Sequence, residues 1–134
     1  MSDTNKAIVG RLYDHVNAGD LSVIDELLSD DFVTHEELPG LEPTKEGVRK
    51  LFETFHSAFR DAKFEADDLI AEGVKVFVRA RMTGTHQSEF MGVPATGRTI
   101  NVGVGEYFRI DNNMVVEHWG VMDTGALMQQ LTGA

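Results

Sequence analysis

The sequence predicts an α+β domain, with amphipathic helices in its first half and an antiparallel meander closed by a short helix in its second. Apolar residues recur with a period near 3.6 in the first part of the chain and with a period of two in the second. The stretch "DNN" then joins two long alternating runs as a hairpin. Helices segregated from an antiparallel sheet define this class, and a chain of 134 residues fits one domain spanning 1–134.

Ile8, Val9, Leu12, Tyr13 and Val16 form the first helical stripe, behind the capping residues Ser2, Asp3 and Thr4. "NAGD" breaks that helix, and Asp20 is placed to cap a shorter one carrying Leu21, Ile24, Leu27 and Leu28. "DDFVTHEEL" reads as a short strand running into the turn "PGLEPT". Thr44 is placed to cap a third helix with Val48, Leu51, Phe52, Phe55 and Phe59 on its inner face.

Phe64, Ala66, Asp68 and Ile70 suggest a strand whose alternation is poor, whereas Val74, Val76, Val78, Ala80 and Met82 alternate cleanly. "THQSEFMGVPATGR" reads as a loop with a Pro and two Gly, in which His86 is expected to organise the backbone rather than to react. Ile100–Ile110 and Met114–Met122 are the hairpin strands, and Leu127, Met128 and Leu131 mark the last helix.

Composition limits the function. Apolar residues make up 42% and charged residues 25%, a balance that buries a core. The net charge of −10 argues against nucleic acid and anionic membranes, both of which need clustered Lys and Arg. There is no cysteine, so thiolate chemistry and disulfides are excluded. No basic, then apolar, leader is present and no run nears the roughly 20 apolar residues of a membrane span. A cytoplasmic location follows by default.

The terminal hairpin carries the functional signal. A turn at Asn112-Asn113 pairs Ile110 with Val115, Phe108 with Glu117 and Glu106 with Trp119. One face is then expected to hold Val102, Val104, Phe108, Ile110, Val115, Trp119 and Val121, with Glu106, Glu117 and Asp123 embedded among them. The other face takes Tyr107, Arg109 and His118. Carboxylates on an apolar wall are costly unless paired or beside a cavity, and burial raises their pKa toward neutrality. The acids and the tryptophan are therefore expected to line a pocket. Each has a structural alternative: Asp123 as a helix cap, Glu117 paired with Arg79 or Arg81, and Trp119 as core.

"RARMTGTHQSEFMGVPATGR", the run "FRIDNNMVVEHWGVMD", "DDFVTHEELPG" and "FHSAFRDAKF" together resemble the SnoaL-like polyketide cyclase and ester cyclase family, over almost the whole chain. The resemblance implies the cone-shaped α+β barrel of the nuclear transport factor 2 superfamily, with a strongly curved sheet around the N-terminal helices. It also implies a deep pocket and a homodimer formed through outer sheet faces. Its members carry out cofactor-independent aldol ring closure, with a pocket carboxylate moving the proton beside a histidine.

Carried onto this chain, Asp123 and His35 take the catalytic roles, and Arg79 matches the family's strand arginine. Trp119, Glu106, Glu117, Phe108, Tyr13, Phe52 and Phe55 are the expected substrate-binding residues, with Tyr13 a hydroxyl donor. No metal motif is formed by the histidines.

The favoured expectation is an enzyme acting without cofactor on a small hydrophobic carbonyl compound, by cyclisation or isomerisation. The alternatives are a non-catalytic ligand carrier, an epoxide hydrolase-like enzyme using Arg79 and two acids, and a structural dimer module without a cavity.

Overall fold

A computed structural model describes residues 2–36 and 40–133. The order is α1 (Ser2–Asn17), α2 (Ser22–Leu27), β1 (Leu28–Thr34), α3 (Lys45–Ala58), β2 (Lys63–Glu72), β3 (Lys75–Thr85), β4 (Thr99–Asp111), β5 (Met114–Met122) and α4 (Thr124–Thr132). The end of the strand expected from "DDFVTHEEL", and Pro39 of the expected turn, lie outside the described residues.

The sheet has the order β1-β5-β4-β3-β2; β2 to β5 run antiparallel and β1 joins β5 in parallel. Its ends, β1 and β2, are not paired with each other, so the sheet is open rather than a closed barrel. The inner rows of Val76, Val78, Ala80 and Met82 on β3 and of Ile100, Val102, Val104 and Phe108 on β4 are buried. Helix α1 packs on β2 and β3 through Val9, Leu12, Tyr13 and Val16, while α3 contributes Phe55 and Ala58 to the core and α4 closes on β4 through Leu127 and Leu131.

Helix ends follow local chemistry. Helix α1 begins at Ser2, so Asp3 and Thr4 fall within its first turn instead of preceding it. The Asp20 carboxylate accepts from the Ser22 N–H at 3.2 Å and from its hydroxyl, holding the start of α2. Thr44 precedes α3 in extended conformation without a side-chain capping bond.

The weak alternation of β2 has a physical cause. Its register against β3 jumps between Ala66 and Asp68, a bulge that leaves Asp67 unpaired. The β4–β5 turn places both Asn112 (φ 53°) and Asn113 (φ 62°) in the left-handed region, as a two-residue hairpin requires.

A second bulge corrects the hairpin reading. Ile110 does pair with Val115, but Arg109 then pairs with Glu117, so Val116 is an extra residue on β5. Beyond it every side chain changes face. Phe108 stands opposite His118, Tyr107 opposite Trp119 and Glu106 opposite Gly120. His118, expected outside, is inside. Glu117, Trp119 and Val121, expected inside, are outside.

Candidate functional site

The open side of the sheet, under α1 and α3, encloses a cavity of about 60 Å³. Its walls come from Leu12 and Val16 of α1, Val48, Leu51, Phe52 and Phe55 of α3, and Phe64, Val104 and Phe108 of the sheet. A single water needs roughly 10–15 Å³ of such space, so a tricyclic molecule enters only if side chains yield. Among the described residues, the titratable groups on this lining are Tyr13, Glu36, Glu106 and His118.

His118 is the centre of the cluster and only 6% exposed. Its Nε2 lies 2.8 Å from Glu106 Oε2, and its Nδ1 lies 2.8 Å from Thr34 Oγ1. The buried Thr34 oxygen also accepts the Glu36 backbone N–H at 3.1 Å. That leaves the threonine proton free to donate to Nδ1 when the ring is neutral. When the ring is charged, Nδ1 donates instead. The parallel register of β1 against β5 sets Thr34 beside His118 and fixes the ring at both nitrogens.

The charges reinforce one another. Burial disfavours protonated His118, but the hydrogen bond to Glu106 and the charges of Glu106 and Glu36 outweigh it, so its pKa is raised. Glu36, half-buried, is pushed up by burial and then by the charge of Glu106, against a smaller opposing pull from His118. Tyr13 keeps its proton far above its ordinary range because of burial first and Glu106 second. Its hydroxyl lies close to Glu106 but makes no well-formed hydrogen bond among the described residues.

Of the expected site residues, Tyr13, Glu106, Phe108, Phe52 and Phe55 line the cavity. The others are elsewhere. Asp123 is exposed and caps α4, accepting the Ala126 N–H at 3.0 Å. Glu117 is held on the outer face by Arg109 at 2.8 Å and His35 at 2.6 Å. Those bonds, Arg109 foremost, lower its pKa from the ordinary glutamate value.

His35 stacks on Trp119 with centroids 4.9 Å apart, on the outer side of the sheet. Arg79 is exposed on the outer face of β3, opposite Gly105, and pairs with neither Glu117 nor the cavity acids. Arg81 is taken by Glu65 and Asp67. His86 is fully buried with Thr96 bonded to its Nδ1, organising the 86–98 loop.

Sequence reasoning missed His118, Thr34 and Glu36. The first was hidden by the bulge at Val116. The others lay in a segment read only as a strand end. One signal was available: "FVTHE" places a small hydroxyl two residues before an acid at the end of a strand.

Among the described residues, no helix is long and apolar enough to cross a membrane. No curated protein matches the sequence. The family model for SnoaL-like polyketide cyclases matches residues 7–131. Solved structures with the same fold include AclR, a candidate hydroxylase from Streptomyces galilaeus, at 33% identity and TM-score 0.89, covering 100% of this chain and 99% of that one. IdmH, a candidate polyketide cyclase from Streptomyces antibioticus, is 29% identical with TM-score 0.86, covering 96% and 98%. TsrD from Streptomyces laurentii is 27% identical with TM-score 0.87, covering 98% and 97%.

Proposed function

The chain belongs to the SnoaL-like polyketide cyclase family, and from that premise we propose that it is a cofactor-independent acid/base enzyme acting on a small apolar carbonyl compound. The observation that carries this reading is the buried Glu106–His118–Thr34 chain at the wall of an otherwise apolar cavity. Proton transfer is assigned to Glu106 and its histidine, not to Asp123, which is spent on capping α4.

Glu106 removes a proton from the carbon next to the substrate carbonyl; the C–H bond breaks and an O–H bond forms on the carboxylate. The electron pair moves into an enolate, whose oxygen takes a hydrogen bond from the Tyr13 hydroxyl. That group stays neutral because burial holds its proton. In cyclisation the enolate carbon attacks a second carbonyl, and the new alkoxide takes a proton. In isomerisation the proton returns at another carbon. His118, charged and fixed by Thr34, steadies whichever carboxylate is ionised. The description of IdmH as a candidate cyclase supports the first outcome. The relay of Arg79 with two acids is not carried forward, because Arg79 lies on the other face.

The same reading includes a homodimer in the cytoplasm. It is supported by a row of side chains across the outer face, Phe77, Tyr107, Trp119 and His35, in successive strand register. Exposed Phe77, Trp119 and Val121 give this face an apolar strip between charged side chains.

A panel of β-dicarbonyl and polyketide-like methyl ketones, followed by proton–deuterium exchange at the activated carbon, tests the chemistry. Exchange catalysed by the wild type and lost in Glu106→Gln is expected. Exchange retained at full rate in that variant would remove Glu106 as the base.

A further inference from the structure

Gly120 sits in the middle of β5, where a glycine weakens a strand and marks a close approach of another group. No left-handed backbone calls for it, since its φ is not positive. The reason is space. A Cβ at this position would lie 2.9 Å from Glu36 Oε1, 3.1 Å from Glu36 Cδ and 2.9 Å from His118 Cε1. The carboxyl of Glu36 and the ring of His118 thus meet over bare backbone. The same backbone is the register partner of Glu106.

We propose that Glu36 is a second proton-carrying carboxyl of this site, and that Gly120 is the positioning residue whose missing side chain admits it. The inference rests on the reading that Glu106 and His118 do the acid/base work. Glu36 follows β1, tied by its backbone N–H to Thr34, while its carboxyl forms no hydrogen bond among the described residues and faces the cavity. A buried carboxyl beside Glu106 holds a proton more readily than an exposed one.

When Glu106 has taken the carbon-bound proton, Glu36 gives its own to the alkoxide formed across the cavity. The Glu36 O–H bond breaks, the product O–H forms, and charged His118 balances the new carboxylate. As product leaves, the proton on Glu106 passes through solvent to Glu36, and the starting state is restored.

The groups facing His118 are Glu106 from β4, Tyr13 from α1 and Glu36 from the segment after β1; α3 offers only apolar side chains to the cavity. Of the two groups that a side chain at 120 would strike, the ring is held at both nitrogens. The free end of Glu36 moves furthest, and the ring, 2.9 Å from the new Cβ, gives way only slightly.

The test is the NMR titration of the His118 Cε1 proton in the wild type, Glu36→Gln, Gly120→Ala and the double variant. The His118 ring titrates after Glu36 has given up its proton, so removing that carboxylate in Glu36→Gln lowers the His118 midpoint. Gly120→Ala, by displacing that charge, lowers it likewise, and the double variant falls no further than Glu36→Gln alone. An unchanged midpoint in Gly120→Ala, or shifts that add, would overturn the proposal.

Should Gly120→Ala not fold, because the ring also stands 2.9 Å from the new Cβ, the wild type and Glu36→Gln carry the test alone, and a His118 midpoint unchanged between them sinks it. Carboxyl-carbon labelling reads Glu36 directly, and a midpoint at or below the ordinary glutamate range also rejects it. None of these readouts needs substrate, so they fail independently of the Glu106 exchange experiment.

Discussion

His118 reaches Glu106 diagonally across the β4–β5 hairpin, Nε2 to Oε2 at 2.8 Å, although its register partner is Phe108. The diagonal leaves Phe108 free to pack on the imidazole, with centroids 4.9 Å apart. The polar pair is thus enclosed by apolar surface on the sheet side. A charged hydrogen bond so enclosed is stronger than one in water, and removing either partner leaves the other costly to bury.

Glu106→Gln removes the strongest raising influences on His118 while keeping a side chain of the same shape. The His118 midpoint falls, and the ring becomes neutral at a lower pH than in the wild type. Proton NMR of the imidazole checks this, and a midpoint that stays put rejects the pairing.

Thr34→Val swaps the hydroxyl for a methyl of the same volume. The Glu36 N–H and His118 Nδ1 both lose their partner. Leaving a buried polar group unsatisfied costs about 1–3 kcal/mol, so chemical denaturation should show a loss in that range. Thr34→Ser, which keeps the oxygen, should recover most of it.

Stability should depend on pH through the same cluster. The folded pKa values of His118 and Glu36 are both raised. Each group therefore contributes stability that is fully present below its unfolded value and is lost as pH rises through its folded value. For Glu36 that loss begins above the ordinary glutamate range, and for His118 above the ordinary histidine range. Urea titrations from weakly acidic to alkaline pH should show the decline, and the Glu36→Gln/His118→Gln variant should flatten it.

Asp123→Ala removes the α4 cap and should cost about 1 kcal/mol, with exchange activity per folded molecule unchanged. Asp123→Asn, which retains a capping oxygen, should be near neutral. Activity lost in both variants, with folding intact, would return Asp123 to the chemistry.

Val121→Glu places a charge on a side chain that is 74% exposed in the single chain. It should leave the melting of the monomer little changed and abolish the proposed dimer in light scattering. A dimer that survives this change and Trp119→Lys would move the interface elsewhere.

The sequence made much of the fold legible because periodicity is strong in α1, α3 and β3, and because the Asn112-Asn113 turn is chemically explicit. Glu106 and Phe108 could be placed on the inner face because β4 alternates without interruption. His118 could not. The bulge at Val116 contains no glycine and no proline, and lies where β5 pairs with β4 on one side and β1 on the other. Thr34 and Glu36 escaped for a related reason: their roles depend on the parallel β1–β5 contact, between segments more than eighty positions apart.

The unpaired Val116 also has an inheritance consequence. Loss of that one codon would restore unbroken alternation with Glu117 still opposite Arg109 and His118 still inside, whereas a strand that kept Val116 and paired it with Arg109 would turn the second half of β5 over, sending Trp119 and Glu117 indoors. One terminal ribbon thus encodes two different interiors, and the reading frame of its pleat, more than any single side chain, decides which chemistry a descendant keeps.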